Sequence, residues 1–185
     1  MEMIRLLGYG IPERLVNCWR TYQGERLLPL QDRVVTEYDL FGAENLLVQA
    51  PTSTGKTFIG EMAAVDRAVR RGKAVYLAPL RALAAEKYAL FQERYAALGL
   101  KVILSTREHR EQDDDFERGD FALAVVVYEK FAQLAAARPE RLQEIRLVVA
   151  DELELLADPE RGATVELLLT RLHRAGCRII GLSAV

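Results

Sequence analysis

Residues 45–71 constrain the fold more than any other stretch. The apolar run Leu46-Leu47-Val48 reads as a buried strand, and Ala50-Pro51-Thr52-Ser53-Thr54-Gly55-Lys56-Thr57 reads as a phosphate-binding loop. An amphipathic helix opens at the Gly-Lys-Thr and runs to Arg71. Strand, loop and helix in that order are the context this pattern requires. Backbone N–H groups of Thr52, Ser53, Thr54 and Gly55, together with the first helical turn, converge into an anion nest. Lys56 adds a mobile point charge for β- and γ-phosphates, and Thr57 offers a hydroxyl to Mg²⁺. One position departs from the general pattern, because Ala50 stands where its first glycine belongs.

Five further segments look like strands: Ala74–Ala78, Val102–Ser105, Phe121–Val127, Leu147–Ala150 and Arg178–Leu182. With Asn45–Gln49 they make six. Most are continuous apolar runs rather than alternating ones, as expected of strands covered on both faces of a parallel sheet. Helical patterns lie between them at 56–71, 80–95, 128–137 and 163–175. Gly72, Gly99 and Gly176 follow three of these runs, where left-handed C-terminal caps are expected. Two more helices, Pro12–Gln23 and Pro29–Tyr38, precede the first strand. The fold class is α/β: a doubly wound, mainly parallel sheet with right-handed crossovers, helices on both faces and N-terminal helices added. The charged segment Arg107–Asp120 reads as a solvated loop or an exposed short helix.

In such sheets ligands gather beyond the carboxyl ends of the strands. Five distinctive segments fall there: the phosphate loop, Pro79-Leu80-Arg81, Tyr128-Glu129-Lys130, Asp151-Glu152 and Ser183-Ala184-Val185. An acid at a strand tip facing a phosphate loop holds Mg²⁺, directly or through water, and its neighbour orients and deprotonates an attacking water. That assigns Asp151 to the metal and Glu152 to the base. Both acids would also suit the N-terminus of the helix expected at Leu153–Ala157, but paired acids opposite a phosphate loop favour nucleotide hydrolysis.

Composition narrows the rest. The chain has 185 residues, half of them hydrophobic, which is enough for one ordinary domain. Its net charge is −2, against a polybasic nucleic-acid binder, although a local basic stripe is compatible with it. Cys18, Cys177, His109 and His173 fit no metal-ligand spacing, and the cysteines read as reduced thiols. No apolar stretch approaches the length of a membrane span, and the N-terminus lacks a signal peptide's features, so a cytoplasmic location is the default.

Taken together, these segments resemble the first RecA-like domain of a superfamily 2 helicase, within the DExH group that includes archaeal fork-repair and exosome-associated RNA helicases. Leu28-Pro29-Leu30-Gln31 is similar to the adenine-recognising glutamine motif, and APTSTGKT to motif I. Ala78–Tyr88 (APLRALAAEKY) is similar to motif Ia and Val127-Tyr128-Glu129-Lys130-Phe131 to motif Ib. Asp151-Glu152-Leu153-Glu154 stands at motif II, Asp158-Pro159-Glu160-Arg161-Gly162 resembles the fork-repair branch, and Gly181–Val185 stands at motif III. The resemblance implies ATP with Mg²⁺ as the nucleotide, and Gln31 on the adenine edge. It also implies Arg81, Tyr128 and Lys130 along a single-stranded or forked DNA or RNA track, with Glu154 and Ser183 coupling nucleotide state to strand grip. It places the Ser183 strand between the first strand and Leu147–Ala150.

Three positions depart from that pattern. Glu154 replaces the usual His or Asp, Val185 the usual Thr after Ser-Ala, and Val127 the Thr before the motif Ib tyrosine. All three touch coupling and strand grip, leaving Lys56, Thr57, Asp151 and Glu152 intact. The organisation expected is a helical segment carrying the glutamine motif over residues 1–40 and a RecA-like domain over 41–185. The chain then reads as the N-terminal motor half of a longer protein whose second RecA-like domain supplies an arginine finger. Two other readings fit part of the pattern: a degenerate helicase-like scaffold that binds nucleotide or a partner, and a small phosphate-loop kinase.

Overall fold

The computed structural model describes residues 1–105 and 112–184. Six strands, β1 (Leu46–Gln49), β2 (Lys73–Ala78), β3 (Val102–Ser105), β4 (Leu123–Val127), β5 (Ile145–Ala150) and β6 (Arg178–Ser183), form one sheet in the order β1-β6-β5-β2-β4-β3. Every pairing is parallel. The Ser183 strand lies between β1 and β5, as expected. Parallel pairing gathers all carboxyl ends on one edge, and the register aligns them: Gln49 faces Ser183, Ala150 faces Gly181, Leu77 faces Ala150 and Ala78 faces Val127.

The strands read as unbroken apolar runs because two cores share them. Tyr76, Val125 and Val149 point to one face, with Met62, Phe91 and Trp19. Their neighbours Val75, Val126 and Val148 point to the other, with Phe131, Leu168 and Phe116. The first layer contains α1 (Glu13–Gln23), α2 (Pro29–Thr36), α3 (Lys56–Val69) and α4 (Arg81–Tyr95). The second contains α5 (Asp113–Arg118), α6 (Tyr128–Ala137) and α7 (Gly162–Arg174). Residues preceding β1 belong to the first core, since Met3, Leu6, Leu15 and Trp19 are fully buried in it.

Buried polar groups join this layer. Trp19 Nε1 donates to the Tyr95 hydroxyl at 3.0 Å, that hydroxyl donates to Glu61, and Arg94 donates to both Glu61 oxygens at 2.8 and 3.1 Å. A carboxylate that is only 2% exposed is thereby paired and fully engaged. Buried Arg178 donates to the carbonyls of Glu44, Leu40 and Asp39 at 2.6, 2.8 and 3.4 Å, fixing the approach to β1 against β6.

Some boundaries differ from the sequence reading. β5 starts two residues earlier and β4 two residues later than expected, and Leu153–Ala157 is a 3₁₀ turn rather than an α-helix. Gly99 and Gly176 take positive φ, but the cap of α3 does not use Gly72 that way. Arg71 carries the left-handed conformation (φ 62°), donating to Ala68 O, while Gly72 N–H reaches Arg67 O at 3.0 Å. This is a Schellman closure with arginine at the left-handed position. Part of the charged stretch is helical, as α5. His109, Val185 and residues 106–111 of that stretch lie outside the described residues.

Candidate nucleotide cleft

The phosphate loop leaves β1 beside the tip of β6, where Ala50 N–H donates to Ser183 O at 3.1 Å. Two residues in it are left-handed, Ser53 (φ 63°) and Gly55 (φ 90°). Gly55 is the N-cap of α3. A Cβ there would lie 2.3 Å from Gln31 Nε2 and 2.9 Å from Leu28 Cδ1, so both conformation and space demand glycine. Gln31 is 2% exposed, accepts from Leu28 N–H at 2.9 Å and donates to Gly55 O at 3.2 Å. It is therefore no surface residue but a brace between α2 and the loop. Lys56 Nζ donates to the Ala50 and Pro51 carbonyls, the latter at 2.7 Å, and Thr54 Oγ1 donates to Pro51 O at 2.7 Å. An entering phosphate oxygen competes with those carbonyls for the ammonium protons.

Across from the loop, β5 ends at Asp151 and Glu152. Gln31, Thr52, Ser53, Gly55, Lys56 and Thr57 line the same cleft as Asp151, Glu152 and Glu154, with a volume of about 590 Å³. That size suits a nucleotide. Thr54 is outside the lining because its hydroxyl turns back onto the loop. A lysine, a threonine hydroxyl, two strand-tip acids and a loop with left-handed turns form a donor set matched to a magnesium-bound triphosphate.

The acids sit in distinct environments. Asp151 Oδ2 accepts from the Tyr76 hydroxyl at 2.6 Å and Oδ1 from Glu152 N–H at 3.1 Å. Burial, and then the charge of Asp151, push the Tyr76 hydroxyl well above its usual range, so it stays a donor. Glu152 takes φ 49°, a left-handed conformation that is costly for this residue and is found at functional sites. Burial raises its carboxyl, with Asp151 and Glu154 adding to the shift, in the direction a proton acceptor near neutrality requires. Glu154 is shifted the opposite way. Burial pushes it up, but hydrogen bonds from its own backbone, the Ser183 side chain and Ala184 N–H, together with the field of Lys56, hold it low. Ala184 N–H lies 3.3 and 3.4 Å from its two oxygens. Glu154 and Ser183, expected to couple, do touch each other at the β5 and β6 tips.

A second depression of about 290 Å³ lies beyond β2 and β4, lined by Pro79, Leu80, Arg81, Val127, Glu129, Lys130 and Arg161. Arg81 and Lys130 share it. Tyr128 does not, and here the expectation is corrected. Its side chain is 0% exposed and its hydroxyl donates to the Asp151 carbonyl at 2.7 Å. The first residue of α6 turns inward against the second core, so Tyr128 braces the acid tip and faces no strand track.

Sequence reasoning missed two residues. Arg161 donates to Glu129 at 2.6 Å and to Pro79 O at 2.7 Å, tying three loops together. The stretch 158–162 marked its neighbourhood without giving the partner. Tyr76 bonds a site acid from within β2, and its one signal was a hydroxyl-bearing residue in an aliphatic strand close to its tip.

A DEAD/DEAH box helicase family model matches residues 28–185. The chain is 38% identical over 176 residues to the ATP-dependent DNA helicase Hel308 of Pyrococcus horikoshii, covering 94% of this chain and 24% of that protein. It is 35% identical over 166 residues to Hel308 of Methanococcus vannielii, covering 86% and 22%. The chain thus spans about a quarter of the length of these relatives. The structure of Mycobacterium smegmatis helicase Lhr bound to ssDNA and AMP-PNP matches with a TM-score of 0.76 at 24% identity, covering 95% of this chain and 25% of that one, a likeness of fold. Among the described residues, no helix is long and apolar enough to cross a membrane. The six-stranded parallel sheet, the cleft and the matched residues agree: this chain belongs to the DEAD/DEAH box helicase family and has the RecA-like fold of its ATP-binding motor domain.

Proposed function

We propose that this chain is the first motor half of an ATP-dependent DNA helicase. One observation carries the reading: the phosphate-loop lysine and the paired strand-tip acids line a single cleft. Lys56 meets the β- and γ-phosphates, Thr57 and Asp151 hold Mg²⁺, and Glu152 orients and deprotonates the attacking water. Mg²⁺, when bound, neutralises charge developing on the transferred phosphoryl group. Gln31 reaches the adenine edge by exchanging one of its present hydrogen bonds. That would make loop shape and base identity interdependent, because the same amide braces Gly55.

Arg81 and Lys130 contact phosphates of a single or forked strand. DNA is preferred to RNA here because the Hel308 relatives are DNA helicases by name. Glu154 and Ser183 pass nucleotide state to that surface through the β6 tip. Residues 1–40 act as a helical segment bringing in Gln31, and residues 41–185 as the RecA-like domain. A second RecA-like domain supplies the other cleft wall and an arginine finger, which is worth about 10³–10⁵ in rate in related phosphoryl transfer. This half alone binds ATP weakly and hydrolyses it slowly, in the cytoplasm by default.

The test is nucleotide and strand binding at stated salt. Lys56→Ala should abolish Mg²⁺-dependent binding of a fluorescent ATP analogue, and Asp151→Asn should weaken it so that saturation needs far more Mg²⁺. Arg81→Ala and Lys130→Ala should spare it but weaken binding of a labelled single strand, each lowering the salt slope by roughly one. Nucleotide binding that survives Lys56→Ala would defeat the reading, as would ATPase stimulation by a small phosphate acceptor in place of DNA.

A further inference from the structure

Asp151 is held from several directions, two of them by tyrosine hydroxyls outside the phosphate loop and the acid tip. The Tyr76 hydroxyl meets Oδ2 at 2.6 Å, Glu152 N–H meets Oδ1 at 3.1 Å, and the Tyr128 hydroxyl meets the main-chain carbonyl at 2.7 Å. The Tyr76 ring has no freedom to wander. It is fully buried, it packs edge-on against Phe91 with centroids 5.7 Å apart, and Lys87 Nζ sits 5.4 Å from its centroid on the cleft side. Tyr76 and Lys87 both line the cleft, yet neither belongs to the phosphate loop or to the acid tip.

A carboxylate on an unrestrained side chain spends rotational freedom when it takes a metal, whereas one already aimed does not. With both oxygens tied to donors of fixed position, Asp151 cannot spin about its terminal torsion. One lone pair on each oxygen is committed, so each oxygen keeps another for a ligand, and Asp151 lines the cleft. We infer that Tyr76 is a positioning residue, acting through Asp151 to set the Mg²⁺ requirement of nucleotide binding. The inference rests on the ATP-site reading above and deepens it. Tyr128 serves as the internal control, because it holds the same residue by the main chain and leaves the carboxylate alone.

The experiment titrates Mg²⁺ into the 185-residue chain with a fluorescent ATP analogue, using wild type, Tyr76→Phe and Tyr128→Phe. Urea melts accompany each. Tyr76→Phe keeps the ring and its packing. It should bind the analogue normally in EDTA and need roughly tenfold more Mg²⁺ for half-maximal enhancement. Tyr128→Phe should lose stability while titrating at the wild-type Mg²⁺ concentration. In an Asp151→Asn background, Tyr76→Phe should change nothing in the titration, since its route to the metal is gone. Direct Mn²⁺ binding, read by electron paramagnetic resonance, should weaken in the same order.

A Tyr76→Phe variant with the wild-type Mg²⁺ midpoint overturns the inference and leaves the ATP-site reading standing. Equal shifts in both tyrosine variants, or a shift that persists in Asp151→Asn, also overturn it, because either outcome marks general loosening of the tip. A wild type that binds no nucleotide at any Mg²⁺ concentration defeats both.

Discussion

Gly55→Ala tests the geometry of the loop most sharply. The backbone there sits at φ 90°, which costs an L-residue about 1–2 kcal/mol. The new Cβ would also arrive 2.3 Å from Gln31 Nε2, so the amide must leave and its bond to Gly55 O is lost. Overpacking of this kind costs about 1–3 kcal/mol and a lost neutral hydrogen bond about 1 kcal/mol. A total near 3–6 kcal/mol is expected, a fall in Tm of roughly 6–24 °C for a domain of this size. Equilibrium urea unfolding of wild type, Gly55→Ala, Gln31→Ala and the double variant separates the parts. With Gln31 truncated the conflict with its amide disappears, while the φ penalty and the approach to Leu28 Cδ1 at 2.9 Å remain. Gly55→Ala should therefore cost about 1–3 kcal/mol less in the Gln31→Ala background than in wild type. Additivity within about 0.3–0.5 kcal/mol would show that the two residues do not compete for the same space and would refute the account of the loop brace.

Other consequences follow from individual contacts. Arg94→Met strands Glu61, whose side chain is 3% exposed, and should cost about 3–5 kcal/mol in urea melts, with partial recovery on adding Glu61→Gln. Because Glu152 titrates above its ordinary range, the native state binds its proton more tightly than the unfolded chain does. Its charge therefore opposes folding as pH rises through the raised value and does nothing below the unfolded one. Glu152→Gln should raise Tm relative to wild type at pH 7, and the gain should vanish by about pH 4, while hydrolysis is lost at every pH. Arg161→Ala should weaken single-strand binding measured by anisotropy and spare nucleotide binding. Arg161→Lys should not restore it, because a single ammonium does not reproduce the fork that reaches both Glu129 and Pro79 O.

Much of the architecture lay in local patterns. Mainly apolar runs at 74–78, 102–105 and 121–127 announced strands covered on two faces, although β4 itself begins only at Leu123. The phosphate loop announced its own strand and helix, because its chemistry needs both. The acids at 151 and 152 announced a strand tip. Boundaries were less legible, as at β5, where Ile145 joins the ladder through pairing with Lys73, a partner far along the chain.

What the sequence alone determined, then, were the six strands and the longer helices, the edge on which the loops gather and the identity of the charged groups there, all written in short-range spacing. Tertiary structure alone decided where particular side chains point. Tyr128 was compatible with either the strand track or the core, and only the inward turn of the first residue of α6 placed it in the core. Gln31 read as an adenine contact, and its bond to Gly55 O emerged only when α2 packed against the loop. Tyr76 gained a role only when β2 lay beside β5, 75 positions apart between hydroxyl and carboxylate. Side-chain direction depends on which elements become neighbours, and no local pattern encodes a contact between residues so distant in the chain.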